Sequence, residues 1–224
     1  ERPRNDFLKK IRKIADDKRI ILIFDECTSG FRENLGGLQL KIGINPDILI
    51  LGKALGNGYA ITAILGKKNI MENSNKSFIS STFWTERAGP SAALKTLEIM
   101  ERERSWEYIC ELGKYINGKW LEIAKNNNLD IKIFGLSSIT KYLINTKNDF
   151  IKYKTLITQE MLKKGYLASN AAYVSFVHNK DLVDKYIDNL NEVFKLIKSC
   201  ENDDLNIDDL LENSICHSEF TRLN

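Results

Sequence analysis

Two short, nearly continuous apolar runs stand out early in the chain. Ile20-Ile21-Leu22-Ile23-Phe24 ends in Asp25-Glu26, and Ile48-Leu49-Ile50-Leu51 ends in Gly52-Lys53. Runs of this length without polar alternation predict strands buried on both faces, as in a parallel sheet covered by helices. Ahead of the first run, Phe7, Leu8, Ile11, Ile14 and Ala15 fall on one face of a predicted helix over 7–17. A helix that feeds a buried parallel strand implies an earlier strand to pair with, so the sequence reads as a fragment of a longer fold. A third run, Ala60 to Gly66, follows the Gly56-Asn57-Gly58 turn after a few residues. So short a link predicts an antiparallel neighbour. Residues 79–83 read as a short strand or loop. A long helix is predicted from near Ser91, with Ala92, Ala93, Leu97 and Met100 on its apolar side, and more helix over 107–125.

The texture changes near residue 126. Short strand candidates at 131–134, 142–144 and 173–176 alternate with helical patterns at 153–164 and 181–200. This predicts a smaller α+β domain over 126–224, behind a first domain over 1–125. The acidic stretch 201–212 reads as a solvated connector and helix.

Composition narrows the function classes. The formal net charge of +3, from 33 Lys and Arg against 30 Asp and Glu, is spread along the chain. It leaves no footprint for nucleic acid or a membrane surface, and no apolar run approaches the roughly 20 residues of a membrane span. Cys27, Cys110, Cys200 and Cys216 form no CxxC pair, and with His178 and His217 they give no zinc spacing. Reduced thiols in a cytoplasmic protein are the expectation; the polar opening residues do not resemble a signal peptide.

The chemistry concentrates where the two runs end. In an open α/β sheet ligands sit at the carboxyl ends of strands. Asp25 and Lys53 bring a carboxylate and an amine to two such ends. A cofactor that needs both is pyridoxal 5'-phosphate, whose aldehyde takes a lysine and whose pyridinium nitrogen takes a carboxylate partner. A phosphate-loop reading of Lys53 fails, because Asp47 and Ala54 stand where Gly and Ser or Thr belong. Either charge alone is an ordinary strand end; the flanking sequence makes the pair specific.

Phe24-Asp25-Glu26-Cys27-Thr28-Ser29-Gly30-Phe31-Arg32, followed by Leu51-Gly52-Lys53-Ala54-Leu55-Gly56-Asn57-Gly58, resembles the class III pyridoxal-phosphate aminotransferases, and within them the glutamate-1-semialdehyde aminomutase branch. The resemblance runs through nearly the whole chain. It implies an α/β, fold-type-I transferase: part of the large-domain sheet over 1–125, plus a small C-terminal domain. It also implies a cytoplasmic homodimer with shared active sites, acting on a small-molecule amino donor and a carbonyl acceptor. Lys53 matches the Schiff-base lysine, and Asp25 the carboxylate that pairs with the ring nitrogen. Cys27 occupies a position, commonly Val, that packs on the ring face. Thr82 matches a threonine that reaches the phosphate of the neighbouring subunit's cofactor; its other reading is an ordinary strand threonine.

Arg32 is a candidate clamp for a substrate carboxylate, or an ion pair holding its loop. Trp84 and Glu86 are candidates for the substrate pocket. The stretch Phe83-Trp84-Thr85-Glu86-Arg87-Ala88-Gly89-Pro90 departs from the aminomutase pattern, which favours an intermolecular transaminase over an intramolecular 2,1-amino shift. The family's phosphate-binding loop and ring-stacking aromatic have no match ahead of Asp25. A third reading is therefore a non-catalytic fragment that needs the other half of the pocket.

Overall fold

The computed structural model describes residues 6–82 and 85–217, and the chain divides into two compact units, 1–108 and 109–224.

The first unit opens with helix α1 (Phe7–Lys18), closed by Arg19 in the left-handed conformation. Strand β1 (Ile23–Asp25) follows, then the one-turn helix α2 (Gln39–Ile42) and strand β2 (Ile48–Leu51). A 3-10 turn at Lys53–Leu55 leads toward β3 (Ala63–Gly66) and the one-turn helix α3 (Lys68–Met71). Helix α4 (Ala88–Glu103) closes the unit. The sheet order is β1-β2-β3, with β1 parallel and β3 antiparallel to β2, as the short link before β3 predicts. Residues 78–82 adopt neither helix nor strand, and Phe83 lies outside the described residues.

The first strand is shorter than its apolar run. Its pairing begins where β2 offers partners: the amides of Asp47 and Ile48 both donate to the Leu22 carbonyl, at 2.8 and 3.1 Å. Burial on both faces does not hold. Ile21, Ile23 and Ile64 are each more than half exposed, because β1 and β3 are edge strands of this three-stranded sheet. The unit's core is small: Phe31, Leu51, Leu55, Ala93 and Met100, with Leu97 and Trp106 packed against them. Gly89 lets α4 come down onto the chain before β3; a Cβ there would stand 3.0 Å from the Ala60 carbonyl oxygen.

Asp47 ties this unit together. Its buried carboxylate accepts from the Leu22 amide at 2.8 Å and pairs with Arg12 of α1 at 3.0 Å and Lys67 at 2.6 Å. The Leu22 amide first, then the Lys67 and Arg12 charges, hold its pKa down at about 2.

Helix α5 (Ser105–Asn126) crosses the division. The apolar face of α5, from Ile109 through Trp120 to Ala124, belongs to the second core. Strands β4 (Asp130–Leu136) and β5 (Ile139–Asn145) form a hairpin. Helix α6 (Phe150–Lys163), edge strand β6 (Ala171–Tyr173), helix α7 (Lys180–Glu201) and the short α8 (Ile207–Leu210) follow. The sheet is antiparallel, β4-β5-β6. Trp120, Tyr142 and Phe194 meet edge to face in its core, with ring centroids 4.7 and 5.7 Å apart. Strand β6 ends earlier than its apolar run because Ser175 and His178 form a turn. Among the described residues no helix is long and apolar enough to cross a membrane, and no cluster of His, Cys, Asp and Glu could hold a metal ion.

Candidate active site

The site is built on the carboxyl ends of β1 and β2. Asp25 is the last residue of β1 and lies opposite Ile50 of β2. The Glu26 amide continues the ladder by donating to the Ile50 carbonyl at 2.9 Å. Lys53 starts two residues beyond the end of β2, so parallel pairing brings the acid and the amine to one edge of the sheet.

Local backbone chemistry aims both groups. Asp25 Oδ1 accepts from the Cys27 amide at 3.0 Å, a turn closed by the carboxylate's own chain. That amide, then the Cys27 thiol, lowers the Asp25 pKa from its ordinary value, and the positive charge of Lys53 adds to the effect. Asp25 is therefore an exposed, ionised carboxylate. Desolvation, followed by the hydrogen bond to Asp25, raises the Cys27 thiol, so Cys27 stays a neutral thiol. It fits closely over the strand beside it: a Cβ at Gly52 would lie 3.3 Å from Cys27 Sγ.

Lys53 has φ +44° and Phe31, also near this edge, φ +61°. Left-handed backbone in residues with large side chains stores strain and concentrates at functional sites. The exposed Lys53 Nζ donates to the hydroxyl of Thr28 in the turn after β1.

The loop that follows is fastened from below. Glu26 is buried and accepts from the Ser29 hydroxyl at 3.0 Å, the Leu38 amide at 2.5 Å and the Gln39 amide at 3.0 Å. The last two lie at the start of α2, where a carboxylate is favoured. Arg32 Nε donates to the Thr28 carbonyl at 3.4 Å, so its guanidinium contributes to holding this loop.

The remaining candidates lie elsewhere in the unit. Thr82 is exposed in a turn ahead of α4 and shares no hydrogen bond with Asp25, Cys27 or Lys53 among the described residues. Glu86 has both carboxylate oxygens engaged at the start of α4, with the Ala88 amide at 2.5 Å and the Gly89 amide at 3.1 Å. Those amides lower its pKa, Gly89 first. Glu86 lies just before the N-cap residue Arg87 and satisfies the first amides of α4. Trp84 lies outside the described residues. The pattern reading missed Thr28 and Glu26 as individual residues. Each lies within three residues of Asp25, but their partners come from other segments, so nothing in the sequence alone marks them.

Comparison with known proteins gives the family and the fold. Residues 2–194 match the profile of the family described as aminotransferase class-III. The chain belongs to the class-III aminotransferases. Among curated members, a 3-aminobutyryl-CoA aminotransferase from Cloacimonas acidaminovorans (strain Evry) is 35% identical over 158 residues, 70% of this chain and 38% of its own length. A glutamate-1-semialdehyde 2,1-aminomutase from Ignicoccus hospitalis is 31% identical over 211 residues, 87% of this chain and 50% of its own length. The chain thus spans half or less of the length of these two relatives. Solved transaminases share its fold. The FumI protein of Sphingopyxis sp. MTA144, solved in its PLP internal aldimine form, superposes with a TM-score of 0.82 at 22% identity, covering 92% of this chain and 50% of that one. A transaminase with PLP bound gives a TM-score of 0.80 at 19% identity, over 88% and 49%. The fold-type-I architecture expected of this class III chain is the one observed.

Proposed function

We propose that this chain carries the lysine side of the active site of a pyridoxal-phosphate-dependent transaminase. The observation that carries the reading is the delivery of Lys53 and Asp25 to adjacent parallel strand ends, with the amine held on a neutral hydroxyl and the acid ionised. Class-III membership and the PLP-bound state of a fold relative support the cofactor. The residues fit the group: Asp25 is an exposed carboxylate held by the Cys27 amide and thiol, and Lys53 is an exposed amine whose charge reaches it.

When bound, pyridoxal phosphate supplies an aldehyde that condenses with amines and a protonated ring that draws electrons from the carbon being deprotonated. The chain's own residues do the rest. Asp25, held ionised by the Cys27 amide and thiol, would hold the proton of a ring nitrogen. Lys53 would hold the aldehyde, and its Nζ, when free, would be the base that moves a proton at the substrate Cα. Cys27 would offer its thiol to the ring face. Thr82 offers its hydroxyl to a phosphate, in this reading that of a second subunit in a homodimer. Arg32, whose Nε also holds the Thr28 carbonyl, would offer its guanidinium to a substrate carboxylate. The donor and acceptor are small molecules, and the protein works in the cytoplasm, a setting that suits its four free cysteines.

A second reading is the intramolecular amino shift, favoured by the aminomutase relatives. Turnover of a candidate substrate without any keto-acid acceptor would select it. For either reaction we propose that further chain completes the sheet; the half-exposed Ile21, Ile23 and Ile64 and the half-length coverage of relatives support this. The test of the common chemistry is Lys53→Ala in the full-length protein. The variant is expected to lose the visible absorbance of lysine-bound cofactor. Retention of a borohydride-reducible chromophore would overturn the reading.

A further inference from the structure

Among the described residues the Lys53 amine makes no ion pair with Asp25, although its charge reaches that carboxylate. Its hydrogen bond goes to Thr28, while Asp25 feels the lysine only as the smallest influence on its ionisation. Resting on the function proposed above, we propose that Thr28 is a positioning residue for Lys53: its hydroxyl parks the uncommitted amine and keeps it out of an ion pair with Asp25.

The surroundings support this assignment. Thr28 sits in the turn directly after β1, and that turn is stiff. The Gly30 amide closes it onto the Glu26 carbonyl at 2.8 Å, and a Cβ at Gly30 would lie 2.7 Å from Leu51 Cδ2. Arg32 Nε holds the Thr28 carbonyl. The lysine is aimed from the other strand by its left-handed backbone, φ +44°. A hydroxyl and a carboxylate are not equivalent rests for an amine. The hydroxyl satisfies one N–H without adding charge, whereas a carboxylate favours the protonated, non-nucleophilic form. An ion pair would also compete with the hydrogen bonds that Asp25 accepts from Cys27. Thr28 thus keeps two oppositely charged neighbours available for separate work.

The test is the rate at which formaldehyde and a borane methylate Lys53 in the full-length, cofactor-free protein, followed by peptide mass spectrometry with the other lysines as internal controls. Thr28→Val keeps the shape and removes the hydroxyl. It is expected to slow Lys53 methylation on the order of tenfold, the scale of one hydrogen bond to a charged group. Thr28→Ser should retain the native rate, and Thr28→Val with Asp25→Asn should recover it. If Thr28→Val fails to fold, Thr28→Ala makes the same comparison. A native rate in Thr28→Val, an equally slow Thr28→Ser, or no relief from Asp25→Asn would overturn the proposal. Borohydride reduction with pyridoxal phosphate runs in parallel. Lack of a pyridoxyl group on wild-type Lys53 would sink the proposed function, while the methylation series would still decide the role of Thr28.

Discussion

At the residue scale, the site depends on how few groups separate Asp25 from Lys53. The Cys27 amide and thiol fix the acid, and the Thr28 hydroxyl receives the amine. Asp25→Asn keeps the shape of the turn and removes the charge that would hold a ring proton. Lysine attachment of cofactor should survive, seen as retained visible absorbance, while amino-transfer turnover falls at least about a hundredfold. Near-native turnover would move the ring partner elsewhere. The sign of the pKa shift extends this to pH. A lowered Asp25 remains ionised as pH falls into the ordinary carboxylate range, so acid loss of activity should not begin there from this group. Asp25 and Lys53 stand out in the sequence as candidates because each ends an apolar run. Thr28 does not, because a hydroxyl in a turn draws notice only when the parallel partner places an amine against it.

At the scale of elements, Asp47 is the joint on which α1, β1, β2 and the residue after β3 converge. It read only as the opening of a strand after Pro46, since nothing local announces three partners from distant segments. Its pKa is about 2 in the fold against an ordinary 3.8. Because the folded value is depressed, the stabilisation is present in full above pH 3.8 and is lost as pH falls through about 2. The shift corresponds to something on the order of 2 kcal/mol. Asp47→Asn should destabilise the protein by about 2–3 kcal/mol at neutral pH in urea unfolding. It should also flatten the acid limb between pH 4 and 2. An unchanged midpoint and an unchanged acid limb would show that the joint does not matter. Helix lengths were more legible than strand lengths for a related reason. The period of α1, α5 and α7 is internal to each helix, whereas β1 and β6 stop where partners or turns stop them.

At the scale of the molecule, the two units differ in how completely they bury their apolar faces. The second closes a core around Trp120, Tyr142 and Phe194, all with essentially no exposure. The first leaves both edges of β1-β2-β3 open and much of its apolar run in solvent. The apolar runs nevertheless read as strands buried on both faces, and that reading describes a larger sheet than this chain provides. Among the described residues an amine, an acid and a thiol gather at the strand ends, and the phosphate candidate Thr82 shares no hydrogen bond with them. The most direct measurement is therefore made on the full-length protein that carries this sequence. It is incubated with pyridoxal 5'-phosphate, reduced with borohydride, digested and mapped by mass spectrometry. One pyridoxyl group, on Lys53, is expected. Labelling at another lysine, or none, would contradict it.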